Sequence, residues 1–361
     1  MKIALLAPAN SSHTIKWANA YVRHGHRVRL YSLPNHVNQN EIIDERVQIV
    51  YLKTGGFQGY LMGGKQLRED IQSFHPDIVN AHYASGYGTL ARMAKVHPLL
   101  LSVWGSDVYD FPYKSPLHKK IVWKNIQNAD RLASTSHVMA KQVKRVYPSY
   151  EKEIFVTPFG VDVARFSKKE VEKPCFTVGT VKLLEDKYGL SYLIRGYSRF
   201  VKRLPEGEKA QLLIYGKGSK QAELQGLIDE LGLNDEAKLC GPIPNTQVPQ
   251  AISGMDVFCV PSVLNSESFG VSAVEAMACE VPVIASDVDG FTETVEDGVT
   301  GFIIPRENAE AIADKLWQFY SDKELRAKMS TAGRQRVLRL YDWEENVKTM
   351  EQALLETAAQ K

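Results

Sequence analysis

The chain has 361 residues, of which 44% are hydrophobic and 24% are charged. This is the composition of a soluble globular protein, and the length suits two domains of ordinary size. No apolar run approaches the roughly 18–20 residues that a membrane-spanning helix needs. The four cysteines are widely spaced and form no C-x-x-C pair, which favours a reducing cytoplasm and argues against structural zinc.

Positive and negative charges are distributed unevenly along the chain. The formal net charge is only +2, but residues 1–165 contain 21 lysine and arginine residues against 12 aspartate and glutamate residues. Residues 166–361 contain 23 basic and 30 acidic residues. The basic half is expected to meet an anionic partner, such as a membrane surface or an acceptor with a lipid diphosphate. Nucleic acid fits less well, because no dense basic run is interleaved with aromatic residues.

The first half alternates apolar strands with helices. Strands are predicted at residues 3–7, 27–32, 47–52, 77–81, 99–103, 130–136 and 153–158. The first helix is predicted over residues 14–24, with Ser11 or Ser12 as its N-cap and Gly25 as its terminator. Residues 160–174 are polar and charged, and they form the expected linker.

The same alternation begins again after the linker. Strands are predicted at residues 176–180, 211–215, 237–240, 255–262, 281–286 and 301–304, and helices at residues 190–202, 309–320, 322–340 and 343–358. Strand–helix alternation in both halves predicts an α/β fold with two doubly wound Rossmann-like domains facing across a cleft.

The stretch from Ser266 to Cys279 is the most informative segment. It contains Glu267 and Glu275, separated by a loop that leads into a helix opening at Phe269–Gly270. Helix N-termini at the carboxyl ends of strands bind phosphate, and carboxylates accept hydrogen bonds from hydroxyl groups. A nucleotide sugar suits such a place. Spacing alone leaves another interpretation open, in which Glu267 merely complements the helix dipole and Glu275 lies on a helix surface.

This segment resembles the retaining glycosyltransferases of family 4, which have the GT-B architecture and carry a Glu-x7-Glu pair here. The resemblance covers nearly the whole chain. It implies that Glu267 contacts the donor sugar hydroxyls and that Glu275 holds the ribose hydroxyls. Ser268, Phe269, Gly270 and Val271 would line the same donor site, with backbone amides of Phe269 and Gly270 directed to the sugar or phosphate.

The resemblance also implies a domain organisation. Residues 1–165 would form the acceptor-side domain, and residues 166–342 the donor-binding domain. The last helix, in residues 343–361, would return to the N-terminal domain. Members of this family move a hexosyl group from a nucleotide sugar to a hydroxyl acceptor and form an α-linkage.

Two lysines provide a second match to the family. Its members usually have arginine and lysine five or six residues apart at the position of Lys182 and Lys187 here. These cations would stabilise the diphosphate, which gains negative charge as the glycosidic bond breaks. Lysine in place of arginine keeps the charge but loses the bidentate fork. Without the match to the family, both lysines could be ordinary surface residues.

The turn Gly216-Lys217-Gly218 follows a predicted strand. A dinucleotide-binding fingerprint would need a third glycine where Gln221 stands, so NAD binding is not expected. By resemblance to the family, Gly216 and Gly218 would line the donor nucleotide pocket.

The N-terminal half departs from the family at two places. The loop after the first strand lacks the usual double glycine, and Trp104 stands where many members have a histidine beside the reaction centre. A tryptophan cannot carry a proton but can stack on a sugar face. His13 and His82 follow strands and could reach the cleft as substrate-binding groups, while a structural or merely polar role remains the alternative for each.

The resemblance implies a cytoplasmic enzyme that needs no metal or other cofactor. The basic N-terminal half suits a peripheral position at the inner face of the membrane. Asp287-Val288-Asp289 imitates a metal-binding Asp-x-Asp motif, but it lies where family members usually have glycine. UDP is the preferred donor nucleotide, with GDP-mannose as the second choice, and the acceptor is expected to be a cell-surface saccharide or glycolipid. Two alternatives remain open: a UDP-sugar 2-epimerase of the same architecture, and a non-catalytic nucleotide-sugar-binding subunit.

Overall fold

The computed structural model describes residues 1–38 and 42–360, and it divides into two units. The N-terminal unit comprises Met1–Phe159 together with the segment that begins at Glu344, and the C-terminal unit comprises Gly160–Trp343. Each unit is a parallel sheet whose strands alternate with helices, as the sequence predicts. In the described part of the chain, no helix is long and apolar enough to cross a membrane.

The strands are β1 (Lys2–Leu6), β2 (Arg27–Ser32), β3 (Gln48–Tyr51), β4 (Ile78–His82), β5 (Leu99–Val103), β6 (Arg131–Ser134), β7 (Ile154–Val156), β8 (Phe176–Val181), β9 (Ala210–Tyr215), β10 (Ala237–Gly241), β11 (Val257–Val260), β12 (Val283–Ser286) and β13 (Gly301–Ile304). The helices are α1 (Ser12–Arg23), α2 (Gly56–Met62), α3 (Gly64–Phe74), α4 (Gly86–Ala94), α5 (Ser106–Tyr109), α6 (Pro116–Asn128), α7 (His137–Val146), α8 (Leu190–Val201), α9 (Gln221–Glu230), α10 (Val248–Ser253), α11 (Val271–Ala278), α12 (Asp289–Thr294), α13 (Ala309–Ser321), α14 (Lys323–Leu340) and α15 (Trp343–Ala358).

The two sheets share one topological feature. The N-terminal sheet has the order β3-β2-β1-β4-β5-β6-β7, and the C-terminal sheet has the order β10-β9-β8-β11-β12-β13. In each, the strand order reverses beside the first strand of the unit, between β1 and β4 and between β8 and β11. Open α/β sheets bind ligands at such a reversal, beyond the carboxyl ends of the strands. The fold therefore fixes where a site is expected in each unit.

Apolar patterning places the sheets in the interior. β4 and β5 are buried along their whole length, as expected for central strands of a parallel sheet, and the buried polar side chains of Asn80, His82 and Ser102 lie among their apolar residues. The first helix ends where the sequence indicates, because Gly25 has a φ of 84° and the amide of His26 bonds the carbonyl of Tyr21 at 2.9 Å. Its N-cap is Ser11, without a side-chain hydrogen bond.

The C-terminal helix α15 packs on the N-terminal unit, as the resemblance implies. A cluster of two histidines and two glutamates joins it to the segment after α1. His24 bonds Glu351 through Nδ1 at 3.0 Å and Glu344 through Nε2 at 3.0 Å, and His26 Nε2 lies 2.7 Å from Glu351. Burial lowers the pKa of His24, but its bonds to the two glutamates outweigh this, so its pKa is raised above the ordinary value.

This cluster predicts how the stability of the N-terminal unit depends on pH. A histidine with a raised folded-state pKa stabilises the fold below its unfolded pKa of about 6.5, and it loses that contribution as the pH rises through the folded value. We expect the contribution to be about 0.2–1 kcal/mol, because the groups keep contact with water. Urea unfolding at pH 5.5 and 8.5 should show a smaller pH difference for His24→Gln than for the wild type. Equal differences in the two proteins would contradict the prediction.

Candidate functional site

The predicted site residues of the C-terminal unit follow β8, β9 and β11. Lys182 and Glu267, which are 85 residues apart in sequence, form an ion pair there, with Lys182 Nζ donating to Glu267 Oε2 at 2.7 Å. Their side chains are only 11% and 15% exposed. The pair bridges the two strands at the reversal. Because an ammonium carries three N–H donors, Lys182 can bind an anion while it keeps Glu267 as a partner.

The second predicted lysine lies close to the first. The ammonium groups of Lys182 and Lys187 each lie 4.7 Å from the centre of the Tyr188 ring, within the range of a cation–π interaction. Lys187 is exposed, whereas the side chain of Lys182 is mostly buried. The loop after β8 therefore concentrates positive charge around one aromatic ring, which suits a ligand with more than one negative charge.

The turn after β9 packs directly against this loop. The amide of Lys182 donates to the carbonyl of Tyr215 at 2.9 Å, and the amide of Leu184 donates to that of Lys217 at 3.0 Å. A Cβ atom at Gly216 would lie 1.8 Å from the carbonyl oxygen of Lys182. One at Gly218 would lie 2.3 Å from that of Leu184. Both glycines are thus needed to bring the backbone of the turn against the loop that carries Lys182.

Replacing Gly216 with alanine is expected to destabilise the C-terminal unit. Gly216 has a φ of 148°, and the new methyl group would collide with backbone rather than with a flexible side chain. Overpacking of this kind costs about 1–3 kcal/mol or more. Chemical denaturation measures the loss, and Gly226→Ala on α9 is the control, because a Cβ atom there would meet nothing within 4 Å. Equal stability of Gly216→Ala and the wild type would contradict the packing described.

The segment from Glu267 to Gly270 is held in place by α12. A Cβ atom at Gly290 would lie 2.3 Å from the carbonyl oxygen of Glu267 and 2.5 Å from the amide nitrogen of Phe269. Ser268 and Phe269 are buried, and the Phe269 ring contacts that of Tyr341 edge to face at 5.4 Å. Close packing on α12 therefore fixes the backbone that carries Glu267.

Helix α11 begins where the sequence indicates, with Gly270 as its N-cap. The amide of Ala273 already donates to the carbonyl of Gly270 at 3.0 Å. The amides of Val271 and Ser272 lie too early in the helix to bond one of its carbonyls, and they point along the axis toward the preceding loop. Val271 and Ser272 lie four and three residues before the half-buried Glu275, so all three occupy one side of the helix. The helix thus places a carboxylate one turn away from a set of backbone N–H donors.

Three buried hydroxyl groups near these segments escaped the sequence prediction. They have no hydrogen-bond partner among the described residues, and they belong to Thr180 in β8, Ser262 after β11 and Ser272 in α11. Buried hydroxyls are usually satisfied, so unpaired ones beside a candidate site are candidate ligand contacts. Residue type alone gave no signal, because serine and threonine are common in loops and helix starts.

An aromatic cluster lies at the corresponding edge of the N-terminal sheet. It contains the three predicted residues His13, His82 and Trp104, together with Tyr83 and Phe159. The Trp104 ring lies 4.1 Å from His82, 5.1 Å from Tyr83 and 5.2 Å from Phe159, while His13 stacks on Phe159 at 4.3 Å. Trp104 is only 7% exposed. The structure therefore brings these three predicted residues together around Trp104.

His82 is held neutral. Burial lowers its pKa to about 3, with a further contribution from His13. Its Nε2 lies 2.9 Å from Oδ1 of Asn80, whose Nδ2 in turn donates to the carbonyl of Leu100 at 3.0 Å. At neutral pH an imidazole of this kind carries no charge, so it can serve as a polar contact but not as a cation.

Asp107 orders the turn that carries Trp104, a role that the sequence did not reveal. Its carboxylate is buried and accepts from the amides of Trp104 at 3.1 Å, Gly105 at 2.9 Å and Ala84 at 2.7 Å. Burial raises the pKa of Asp107, although these three bonds act against the increase. One carboxylate thus ties the loop after β4 to the loop after β5.

In the Asp287-Val288-Asp289 segment, the first aspartate forms an ion pair with an arginine. Asp287 pairs with Arg306, whose Nε donates to Oδ1 at 2.9 Å, and the pKa of Asp287 is lowered because this pairing outweighs its burial. Across residues 1–38 and 42–360, no three His, Cys, Asp or Glu side chains are grouped so that they could hold a metal ion.

Each of the two units matches a known protein family. Residues 2–136 match the family described as glycosyl transferase 4-like, and residues 162–336 match the glycosyl transferases group 1. A D-inositol 3-phosphate glycosyltransferase from Kribbella flavida is 28% identical over 284 residues. That match covers 71% of the chain and 66% of the relative, so slightly less than two thirds of the relative's length is represented.

Solved structures agree on the architecture. Sucrose-phosphate synthase from Thermosynechococcus elongatus superimposes with a TM-score of 0.86 at 20% identity, over all of both chains. The Anabaena protein HepE, in complex with UDP and glucose, superimposes with a TM-score of 0.78 at 17% identity, over 99% of this chain and all of that one.

The fold is therefore GT-B, the class with two Rossmann-like units. Within that class the chain belongs to glycosyltransferase family 4, as its two family matches together show.

Proposed function

We propose that the protein is a retaining, metal-independent glycosyltransferase that moves a sugar from a nucleotide-sugar donor to a hydroxyl group. The observation that carries the proposal is the Lys182–Glu267 ion pair at the strand reversal of the C-terminal sheet. It joins a cation suited to a diphosphate to a carboxylate suited to sugar hydroxyls, and Lys187 shares the ring of Tyr188 with it. Membership of the family supports this assignment.

Each residue has a distinct part in binding the donor. Lys182 and Lys187 contact the diphosphate, and the first-turn amides of α11 add backbone donors to the same group. Glu267 orients the sugar through its hydroxyls, while Glu275 accepts hydrogen bonds from the ribose. The backbone of residues 268–271 and the turn at Gly216 and Gly218 complete the surface around the nucleotide.

The chemistry depends chiefly on charge. As the glycosidic bond breaks, negative charge grows on the leaving diphosphate, and preorganised cations stabilise that state more than the bound donor. The acceptor hydroxyl attacks from the face that the diphosphate leaves, and its proton passes to the departing phosphate, so the anomeric configuration is retained. This route needs no protein base, which agrees with a neutral, buried His82 and with tryptophan at position 104.

UDP is the preferred nucleotide, because HepE was solved with UDP, and GDP-mannose is the second choice. The acceptor is a cell-surface saccharide or glycolipid. The excess of basic residues in the N-terminal half supports a cytoplasmic protein that lies against an anionic membrane surface.

Product analysis tests the proposal. The protein is incubated with UDP-glucose, UDP-N-acetylglucosamine or GDP-mannose and a panel of octyl glycosides and inositol phosphates, and products are identified by NMR. We expect a free nucleoside diphosphate and an α-linked glycoside. An epimerised nucleotide sugar without any glycoside would show an epimerase, and nucleotide binding without turnover across the panel would favour a non-catalytic subunit. Either result would contradict the proposal.

A further inference from the structure

The N-terminal unit contains an apolar pocket that the donor chemistry does not use. It has a volume of about 350 Å³, in the range of small-molecule sites. Its walls include Phe57, Tyr60, Leu61, Tyr87 and Ile121. Phe57 and Leu61 on α2 remain exposed, so apolar side chains also surround the pocket where it meets solvent.

The pocket reaches the strand reversal of the N-terminal sheet. Pro8, which follows β1, and Tyr83, which follows β4, both line it. The Tyr83 ring also contacts Trp104 of the aromatic cluster. The pocket and the cluster therefore form one continuous set of side chains at the position where a doubly wound sheet binds its ligand.

One cation is fixed in this apolar wall. Arg92 lines the pocket, and its Nε donates to Oδ1 of Asn125 at 2.7 Å. Asn125 is itself held by bonds from its Nδ2 to the carbonyl of Ala84 and to the hydroxyl of Thr89, both at 2.8 Å. The guanidinium is thus oriented before any ligand arrives. Within the described part of the chain, its two terminal nitrogens have no hydrogen-bond or ion-pair partner.

The other polar groups of the wall do not balance this charge. The lining contains no acidic residue. Burial raises the pKa of Tyr60 and of Tyr83 to about 12 each and lowers the pKa of His36, so these groups are neutral at pH 7. Among the described lining residues, Arg92 alone is charged. A cation beside apolar surface loses part of its hydration, which costs free energy. An anion that forms a bidentate pair with the cation would compensate this desolvation cost.

We infer that this pocket binds the acceptor through an apolar group that carries a phosphate or carboxylate, with the anion on Arg92 and the apolar part against Phe57, Tyr60 and Leu61. The inference rests on the proposed function, which requires an acceptor, and it specifies the chemical class of that acceptor. Tyr60 and Tyr83 also line the pocket, and their hydroxyl groups could donate to the same anion.

Binding of simple probes to the full-length protein tests the inference. We expect octyl phosphate or octanoate to bind at least about tenfold more tightly than octanol, because a charged hydrogen-bonded pair contributes that much. Arg92→Gln should abolish this difference while leaving octanol binding unchanged. Lys65→Gln is the matched control, because it removes a charge from an 87% exposed side chain of the same unit and should alter nothing. Circular dichroism verifies that each variant is folded.

The possible outcomes separate the two claims. Octyl phosphate that binds no better than octanol, or equally well to Arg92→Gln, would overturn the inference. Inorganic phosphate that binds as tightly as octyl phosphate would also overturn it, because the apolar wall would then contribute nothing. Nucleotide binding is measured in the same samples and should not change in Arg92→Gln. If the probes bind as expected but no nucleotide binds, the inference about the pocket is supported and the proposed transfer reaction is contradicted.

Discussion

Replacing Lys182 with methionine is expected to lower the rate of sugar transfer about 10²–10³-fold, the usual effect of removing one preorganised donor to a developing negative charge. Methionine keeps the length and most of the apolar contacts of the lysine stem, including its packing beside Tyr188. The change removes the charge that stabilises the diphosphate and also leaves Glu267 without its partner at 2.7 Å. Steady-state kinetics with a saturating nucleotide sugar measures the effect on kcat.

Two variants distinguish this electrostatic role from a structural one. Lys182→Arg keeps the charge and should retain most of the activity, because arginine also binds diphosphate. Lys328→Met, on an exposed position of α14, removes a charge from the same unit and should leave the rate unchanged. A Lys182→Met protein that unfolds more easily but turns over at the wild-type kcat would show that the lysine only supports the fold.

Replacing Glu275 with alanine is expected to weaken nucleotide binding by about 1.5–3 kcal/mol, the contribution of hydrogen bonds to a charged group. The carboxylate is half-buried on α11, one turn beyond the first-turn amides, where it can accept from both ribose hydroxyls. Calorimetric titration with the preferred nucleoside diphosphate measures the loss. Glu324→Ala, at an exposed position of α14, is the control for a lost negative charge.

A modified ligand makes the test of Glu275 specific. The 2′-deoxy nucleotide should bind the wild type more weakly than the parent nucleotide, because one partner of the carboxylate is missing. The Glu275→Ala variant should not distinguish the two ligands. Equal discrimination by both proteins would place the ribose contact elsewhere.

Much of the sheet framework could be predicted from the sequence, because central parallel strands consist of short, mostly apolar runs. The predicted strands at residues 27–32, 99–103 and 301–304 agree with the structure to the residue, and most others differ only at their ends. The opening of α11 at Gly270 was also visible, since a small-residue helix follows a strand and a loop there. These features depend on local sequence, which is why they could be predicted.

The helices α2, α3 and α4 were not predicted, and their glycines explain why. Gly59, Gly64 and Gly86 lower helix propensity, yet each lies where a side chain would collide with a neighbour. A Cβ atom at Gly86, for example, would lie 2.6 Å from the Tyr60 ring. Close approach between helices is a tertiary property, so sequence patterning could not reveal these helices or the pocket beside them.

The candidate site also combines features that the sequence shows with features that only the tertiary fold creates. The Glu-x7-Glu spacing and the two lysines could be found because the resemblance to family 4 aligns them. The pairing of Lys182 with Glu267, the aromatic cluster around Trp104 and the orientation of Arg92 by Asn125 could not, because each joins residues from separate loops or helices. Only the strand order brings those segments together.

Calorimetric titration of the wild-type protein with UDP, GDP and ADP, in the presence of a metal chelator, tests the central claim most directly. The claim is that protein cations and helix amides bind a nucleoside diphosphate at the strand reversal of the C-terminal sheet. We expect one of the three nucleotides to bind at one site per chain with an affinity that the chelator does not reduce. If none binds, or if binding appears only when a divalent cation is added, the proposed donor site is wrong.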